Sequence, residues 1–355
     1  MDVLAKKFLK YFVPTGIIIV MCVFLFIEPT ISALAVRQSI SLCAEIVIPS
    51  LFPFMIISSF IIKSGISELL GKLFNPLTRF AFRLPGESAG AIIMSFVGGY
   101  PIGAKMTAEL LNEGKITINQ AQRMNIFCLN AGPAFVIGSV GTIMLGSTKA
   151  GAILYFSNVI SSLILGVLTI VLDDKTLILD KKKEKLAIKS PITAFVNSVA
   201  DSGQTMLMIC SWVLIFASIC SLVGTIFANS AMSVSIKCIL EVTNGVAAAA
   251  KILPLPAVCA ILSFGGICVH CQVFSFIRTS GLKLKYFYTA RCISAGISAI
   301  VCMQLLKVFP CEVQTFATSS NIIPTAFSVS APAAAVLLIM SAILIFQVDT
   351  DKKVC

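Results

Sequence analysis

Seven apolar segments of the sequence are each about as long as the ~20 residues that a helix needs to cross a lipid bilayer. They are Tyr11–Ile27, Ile46–Ile62, Ile126–Leu145, Ala150–Leu172, Gln204–Ala228, Cys292–Phe309 and Pro324–Phe346. Only 12% of the 355 residues are charged and 57% are hydrophobic, whereas soluble domains carry roughly 25% charged residues. The sequence therefore predicts an all-α polytopic membrane protein.

Basic residues cluster in the short segments between the apolar runs, and the formal net charge is +11. Lys6, Lys7 and Lys10 precede the first run, and Lys181–Lys185 lie in the one polar linker. This placement is typical of cytoplasmic loops beside anionic lipid and argues against nucleic acid as a partner. Because no small-residue cleavage site follows the first run, residues 1–28 are predicted to form an N-terminal signal-anchor helix.

The reactive side chains give no sign of a metal centre, a cofactor site or an enzyme active site. Most of the 13 cysteines lie within apolar runs, where cysteine behaves as a small hydrophobe. Cys268, His270 and Cys271 form a metal-like cluster, but their spacing lacks a second ligand pair. For His270, packing with a hydrogen bond is favoured over a proton relay. No Walker loop, dinucleotide fingerprint or nucleophile–base arrangement is visible in the sequence.

Two apolar stretches, Ala89–Leu110 and Ala257–Ile277, are interrupted in the middle by paired glycines. Broken backbone at membrane depth survives only inside protein or beside a watery cavity, because lipid cannot satisfy its hydrogen-bonding groups. We therefore interpret both stretches as re-entrant helical hairpins. A third stretch, Ile66–Leu84, mixes charged residues with leucine and phenylalanine, which favours an interfacial amphipathic helix.

A charged linker at residues 173–191, expected in the cytoplasm, divides the chain into residues 29–172 and residues 192–347, followed by a tail at 348–355. The motif "SFVGGY" in the first half recurs as "SFGGIC" in the second. Each half has an odd number of predicted crossings, so we expect two inverted repeats of a gate-type unit. Some basic residues argue against inversion, since they would lie on the non-cytoplasmic side: Arg278, Lys283, Lys285 and Arg291.

The first interruption, "GGYPIGAK", is a candidate ligand site. Gly98, Gly99 and Gly103 let backbone approach a ligand closely, and helix ends at such a break expose amide groups that favour anions. Pro101 cannot donate a backbone hydrogen bond, so the break is obligatory. Lys105 either contributes to an anion site or snorkels to the interface and sets the depth of the hairpin.

A second break follows on the next helix, in "NAGPAF". Asn130 precedes Gly132 and Pro133, which free backbone carbonyls and align an amide side chain with them. This arrangement suits a ligand site, and it equally suits a proline kink in which Asn130 satisfies the freed backbone.

The second half contributes a carboxylate and a further glycine break. Glu241 precedes Thr243 and Asn244 in "EVTNG", where the carboxylate is either a site for a coupled proton or cation or an interfacial charge. Gly265 and Gly266 mark the other interruption and are candidates for the opposite wall of a binding site.

These motifs resemble a known family. "LFPFMIISSFI", "GGYPIGAK" and "NAGPAFVIGSVG" are similar to segments of the YlbJ-type sporulation integral membrane proteins of endospore-forming Firmicutes, within the wider group that carries the nucleoside-recognition gate domain. The resemblance runs from about Glu45 to Gln304 and is weaker at "GGICVHCQ". It implies a plan similar to concentrative nucleoside transporters, with paired re-entrant hairpins meeting at a central substrate site.

For the sporulation branch, the resemblance implies movement of dipicolinic acid (pyridine-2,6-dicarboxylate) from the mother cell across the outer forespore membrane. A small planar dianion suits amide-rich breaks with Lys105 nearby, and Tyr100 could stack on its ring. The sequence shows no obvious carboxamide-and-carboxylate set of the kind that nucleoside transporters use for ribose and base.

We therefore expect a secondary transporter of a small anionic metabolite, not an enzyme, embedded in the lipid bilayer. The expected substrate-binding residues are Gly98, Gly99, Tyr100, Pro101, Gly103, Lys105, Asn130, Gly132, Pro133, Glu241, Thr243, Asn244, Gly265 and Gly266. Two alternatives stay open, a symporter for nucleosides or other small metabolites and a non-transporting scaffold of the forespore membrane. The sequence also leaves open coupling to a proton or sodium ion and assembly into a homo-oligomer.

Overall fold

The computed structural model describes residues 15–172 except 17, and residues 190–311 except 228–230, 251, 279–280 and 283. All regular structure in this part of the chain is helical. The elements are Ile18–Ile27, Pro29–Leu42, a π-helical segment Cys43–Val47, Ile48–Lys63, Ile66–Phe82, Ser88–Val97, Ile102–Asn112, Ile118–Phe127, a π-helix Ala134–Met144, Thr148–Leu168, a 3-10 turn Thr169–Leu172, Pro191–Ile226, Ala231–Leu240, Val242–Ala249, Leu255–Phe264, Gly266–Ile277 and Leu284–Val308.

Within the described residues, five helices are long and apolar enough to cross a membrane. They are Pro29–Lys63, Thr148–Leu172, Pro191–Ile226, Leu255–Ile277 and Tyr286–Val308. The fold class is therefore confirmed as an all-α polytopic membrane protein. The sequence underestimated the length of two helices, which begin at Pro29 and Pro191. Proline is compatible with a first helical position because its missing N–H has no partner there. Most of the charged linker, the predicted span Pro324–Phe346 and the tail lie outside the described residues.

Hairpin 1 consists of Ser88–Val97 and Ile102–Asn112, whose arms pack on each other. Gly103 and Ser95 meet at the contact between the two arms, where a Cβ added at Gly103 would lie 2.8 Å from Ser95 Cβ. The arms can therefore pack this closely only because position 103 has no side chain. The four residues between the arms, from Gly98 to Pro101, reverse the chain. The first predicted hairpin thus has the expected form.

Hairpin 2 consists of Ala231–Leu240 and Val242–Ala249, which also fold back on each other. A Cβ added at Gly245 would lie 2.5 Å from Cys238 Cα, and Cys238 Sγ donates to Gly245 O at 3.4 Å. The absence of a side chain at Gly245 permits this approach. The hairpin of the second half therefore turns at Glu241, upstream of the predicted position.

The interpretation of Ala257–Ile277 as a hairpin is wrong. Leu255–Ile277 has the length and composition of one spanning helix, and its two parts do not fold back on each other. Gly265 and Gly266 take φ values of +83° and +73°, which interrupt the helix, but a new helix starts directly at Gly266. In the first half of the chain, the element that corresponds to Leu255–Ile277 is the broken helix Ile118–Met144, in which residues 128–133 interrupt the predicted span Ile126–Leu145.

The order of elements is the same in both halves of the described chain. The first half runs through a long helix, hairpin 1, the broken helix Ile118–Met144 and the helix Thr148–Leu172, and the second through Pro191–Ile226, hairpin 2, Leu255–Ile277 and Leu284–Val308. If the hairpins turn back within the membrane, each half crosses three times. The inverted orientation of the second half stays a prediction based on this odd number.

The helix Ile66–Phe82 is an addition to the first half. It presents one apolar stripe outward, formed by Leu69, Leu73, Leu77 and Phe80, and Phe80 is 90% exposed. Residues three and four apart share a helix face, so the stripe is continuous. This face has the character expected of a helix that lies against lipid.

Two clusters of buried side chains hold the helices together. The first includes Met55, Met106 and Ile209 and joins the long helices to hairpin 1. The second includes Leu154 and Val258 and joins the Thr148–Leu168 helix to the second broken helix. Because lipid is as apolar as these side chains, close packing stabilises the assembly more than removal from water does. A cavity lies where the hairpin tips and the breaks meet.

Candidate substrate site

The tips of both hairpins and the breaks of both broken helices surround one cavity of about 630 Å³, a volume that includes the space at its open mouth. It is lined by Ile46, Val47, Ser50, Leu51, Val97, Gly98, Tyr100, Gly132, Ala134, Phe135, Ile209, Val213, Glu241, Val242, Thr243, Val269 and Gln272. The structure thus brings predicted site residues from both halves to one place.

Backbone contacts without intervening side chains join the tip of hairpin 1 to the first break. Gly99 has φ +80°, and a Cβ added there would lie 2.5 Å from Gly132 N. Tyr100 N donates to Asn130 O at 2.5 Å. A Cβ added at Gly103 would collide with the Cys128 carbonyl oxygen. The glycines therefore fit hairpin 1 against the break.

Similar contacts join hairpin 2 to the second break. Gly266, at positive φ, approaches Glu241 and Val242 so closely that an added Cβ would lie 3.1 Å from Val242 N. A Cβ added at the neighbouring Gly265 would lie 3.8 Å from Tyr100 Cε1. Tyr100, at the tip of hairpin 1, therefore lies against the break of the second half.

Glu241 caps the second arm of hairpin 2 and is 1% exposed in the protein. Its Oε1 accepts from Thr243 N at 2.9 Å, and its Oε2 accepts from Asn244 N at 2.7 Å and from Asn244 Nδ2 at 2.8 Å. A carboxylate at a helix N-terminus is stabilised by these amides and by the helix dipole. Among the described residues that line the cavity, Glu241 is the only one with an ordinarily charged side chain.

The predicted site residues divide into groups by position. Gly98, Tyr100, Gly132, Glu241 and Thr243 line the cavity. A second set shapes its walls from behind or beside them, namely Gly99, Pro101, Gly103, Asn130, Pro133, Asn244, Gly265 and Gly266. The Asn130 amide donates to Phe127 O at 3.2 Å and accepts from Ser162 Oγ. It therefore satisfies the broken backbone, the second of the two roles that the sequence allowed.

Lys105 stands apart from the cavity. It is 5% exposed and lies on the second arm of hairpin 1, which packs against the Ile48–Lys63 helix. Among the described residues, its Nζ makes no hydrogen bond, and it pairs at 3.9 Å with Glu109 Oε1. That oxygen also accepts from Ser59 Oγ at 3.5 Å. Lys105 thus faces the partly buried carboxylate of Glu109, not the space lined by Tyr100.

The Lys105–Glu109 pair gives a testable prediction for stability. We expect Lys105→Met or Glu109→Gln alone to lower the free energy of unfolding by about 1–3 kcal/mol, because each leaves the other group, a buried lysine or a partly buried glutamate, without its ion-pair partner. The double variant should lose much less, since it removes both charges. Unfolding of the purified protein in detergent would measure this, and additive losses in the double variant would contradict the pairing.

Several lining residues carried no recognisable signal in the sequence. Gln272 comes from the second broken helix and donates to Cys268 Sγ at 3.5 Å. Glu241 and Gln272 thus both line the cavity and bring a carboxylate and a carboxamide to it from the second half of the chain. Phe135 adds a second aromatic side chain to the lining, which also includes Tyr100. Phe135 lies two residues after Pro133 in the sequence, and this closeness to the first break could have suggested it as a lining residue.

Two π-helical segments contribute to the cavity. Cys43–Val47 supplies Ile46 and Val47, and the start of Ala134–Met144 supplies Ala134 and Phe135. π-helical turns are uncommon and occur frequently at functional sites. Nothing in the local composition distinguishes these segments from ordinary α-helix, so they were not predictable.

His270 packs at the second break in the manner favoured from the sequence. One ring nitrogen hydrogen-bonds with Phe264 O at 2.9 Å, and the ring meets Phe287 edge-on with a centroid distance of 5.1 Å. This contact occupies a carbonyl at the end of the Leu255–Phe264 helix. Within the described residues, no group of His, Cys, Asp and Glu side chains is arranged to hold a metal ion.

Comparison with known proteins agrees with the motifs. The model of the Gate family, described as nucleoside recognition, matches residues 44–277, which include both hairpins and both breaks. The sporulation integral membrane protein YlbJ of Bacillus subtilis (strain 168) is 27% identical over 322 residues, covering 79% of each chain. No solved structure matches the chain. The resemblance inferred from the sequence is thereby confirmed.

Proposed function

Because the chain belongs to the nucleoside-recognition Gate family, we propose that it is a secondary transporter of dipicolinic acid across the outer forespore membrane of a sporulating cell. The observation that carries the proposal is the cavity at which both hairpin tips and both helix breaks meet. In secondary transporters, substrate sites form at such discontinuous helices near the middle of the membrane. The sporulation setting rests on the similarity to YlbJ.

The cavity walls suit a planar aromatic ring. Tyr100 and Phe135 both line the cavity, and most of the remaining wall is aliphatic. Aromatic pairs stabilise a contact by about 0.5–1.5 kcal/mol beyond the area that they bury. A pyridine ring between such side chains would be held by dispersion and ring geometry without any charged contact.

Helix starts give the cavity its attraction for carboxylates. Ile102–Asn112, Ala134–Met144 and Gly266–Ile277 all begin at the breaks beside the cavity. Each helix N-terminus carries a partial positive charge of about half an elementary charge. This arrangement replaces the lysine expected from the sequence, since Lys105 does not line the cavity.

The negative charge of Glu241 would repel a dianionic substrate unless a positive charge were bound with it. Its carboxylate lies at the cavity wall, where the membrane interior screens charge poorly. A proton or sodium ion between Glu241 and the substrate would offset the repulsion. We therefore assign the coupling ion to Glu241, which is one of the two roles that the sequence left open for this carboxylate.

Transport into liposomes loaded with terbium tests the proposal. We expect dipicolinate outside to raise terbium luminescence in proteoliposomes and not in protein-free liposomes. Tyr100→Leu should raise KM roughly fivefold, as the loss of about 1 kcal/mol of ring contact predicts. Phe156→Leu is the matched control, because Phe156 is 55% exposed on the outer surface and does not line the cavity. A flat trace with folded protein would contradict the proposal.

One observation favours nucleosides as a second candidate substrate. Glu241, Thr243 and Gln272 line the cavity together and offer hydrogen bonds to hydroxyl groups and a base, and no lysine or arginine belongs to the lining residues. The same proteoliposomes would distinguish the two. Inhibition by nucleosides, with uptake of labelled nucleoside and none of dipicolinate, would favour the second candidate.

A further inference from the structure

Arg291 lies on the Leu284–Val308 helix and is 3% exposed. Its Nη1 donates to Leu129 O at 2.7 Å and to Ser263 O at 3.4 Å, and its Nη2 donates to Ile126 O. Leu129 belongs to the first break, and Ile126 lies near the end of the preceding helix Ile118–Phe127. Ser263 lies one residue before the end of the Leu255–Phe264 helix. One guanidinium therefore contacts the breaks of both halves.

The contacted carbonyls are the ones that a break leaves unpaired. The last turn of a helix has carbonyl groups without internal partners, and it carries the negative end of the helix dipole. Two such ends, from Ile118–Phe127 and Leu255–Phe264, would meet near the cavity without compensation. Arg291 supplies both hydrogen bonds and positive charge there. The same burial explains why Arg291 does not count among the loop charges that argued against an inverted repeat.

We propose that Arg291 is a positioning residue that fastens the two broken helices to each other. It thereby fixes the distance between the cavity wall at Gly132–Phe135 and the wall at Gly265–Gln272. The planar guanidinium reaches three carbonyls with two nitrogen atoms held at a fixed separation, whereas a lysine ammonium has a single nitrogen and cannot occupy both positions. The transport readout below rests on the proposed function, whereas the labelling readout does not.

Alkylation of native cysteines tests the fastening directly. Cys128 lies at the first break and is fully buried, so N-ethylmaleimide modifies it only when the break opens. In Arg291→Lys, we expect Cys128 to be modified about tenfold faster than in the wild type, since losing a charged hydrogen bond shifts a local opening by about that factor. Buried Cys43, which lies in the π-helical segment of the first long helix, should keep its rate. Peptide mapping by mass spectrometry separates the two.

The matched control is Arg123→Lys. Arg123 is also a buried arginine that donates to carbonyls at a helix end, those of Phe82 and Arg83, which lie outside both breaks. We expect Cys128 to react in this variant as in the wild type. Equal acceleration in both variants would mean general loosening and would overturn the proposal, as would an unchanged Cys128 rate in folded Arg291→Lys.

Transport kinetics add a readout that a merely structural role would not move. We expect Arg291→Lys to raise KM for dipicolinate about tenfold with a smaller change in the maximal rate per folded protein. Loss of folded protein alone would lower the maximal rate and leave KM unchanged, which would overturn the positioning role. If Arg291→Lys does not fold, Arg291→Gln retains two donors for the same measurements. If the wild type moves no dipicolinate, the proposed function fails and the labelling result still decides the role of Arg291.

Discussion

Replacing Glu241 by glutamine is expected to abolish the dependence of dipicolinate transport on a proton or sodium gradient. Glutamine can still accept hydrogen bonds from Thr243 N or Asn244 N, so the cap of the Val242–Ala249 helix should lose only about 1 kcal/mol. The negative charge that holds the coupling ion is removed. Because hydrogen bonds to charged groups contribute about 1.5–3 kcal/mol, the rate under a gradient should fall between about tenfold and 100-fold.

The measurement is terbium luminescence in proteoliposomes with imposed pH or sodium gradients of either direction. Glu45→Gln is the control, because Glu45 is exposed and lies next to the lining residue Ile46 without lining the cavity itself. We expect its gradient dependence to match that of the wild type. If Glu241→Gln kept the wild-type response to gradients, the coupling ion would have to bind elsewhere.

Introducing a single methyl group in Gly103→Ala should destabilise the protein strongly. The added Cβ would collide with the Cys128 carbonyl oxygen and lie 2.8 Å from Ser95 Cβ, so hairpin 1 would have to move away from the first break. Overpacking of this kind costs about 1–3 kcal/mol where neighbours can shift, and backbone shifts less readily than side chains. We expect a loss of about 3 kcal/mol in the free energy of unfolding, together with loss of transport.

Gly138→Ala is the matched control, since Gly138 also lies in a helix and an added Cβ would meet nothing within 4 Å. Alanine has a higher helix propensity than glycine, so this variant should be as stable as the wild type or more stable. Unfolding in detergent and the fraction of monodisperse protein would measure both variants. Equal stability of the two would show that the approach of hairpin 1 to the break is looser than described.

The sequence predicted the fold class and the first half of the site because the decisive signals there are local. Gly98, Gly99 and Pro101 together disfavour continuation of a helix, and so do Gly132 and Pro133, so both interruptions were visible in the sequence. Their meeting at one cavity followed from the resemblance to the gate-domain group, since no local signal specifies contact between distant segments.

The second half was misread because the same signal has two structural outcomes. Paired glycines reverse the chain at Gly98-Gly99, where four residues separate the arms, but only interrupt a helix at Gly265-Gly266. In the second half the chain reverses at Glu241, which is the single residue between the two arms of hairpin 2. The sequence feature associated with this reversal is Gly245, because the absence of a side chain there allows Cys238 to pack closely. The hydrophobic periodicity of one helix does not predict which residues of the next helix will pack against it.

The remaining errors concern which direction a polar side chain faces. Lys105 was expected near the ligand because of its closeness in sequence to Gly103, yet two residues along a helix correspond to a rotation of about 200°, which directs its side chain towards Glu109. Arg291 was counted as a loop charge because it directly precedes the predicted span Cys292–Phe309. Only the positions of Ile126, Leu129 and Ser263 in space reveal that it is a buried donor.

The glycine contacts have a consequence for how this scaffold can acquire new substrates. At both hairpin tips the closest approaches are between main-chain atoms, as at Gly99 with Gly132 and at Gly266 with Val242. These main-chain contacts therefore do not depend on the side chains that face the cavity. Substitutions at Phe135, Val269 or Gln272 can change the chemistry of the pocket without moving its frame. Selectivity in this architecture should thus be open to redesign at a few positions, while the glycines set the one shape within which the redesign takes place.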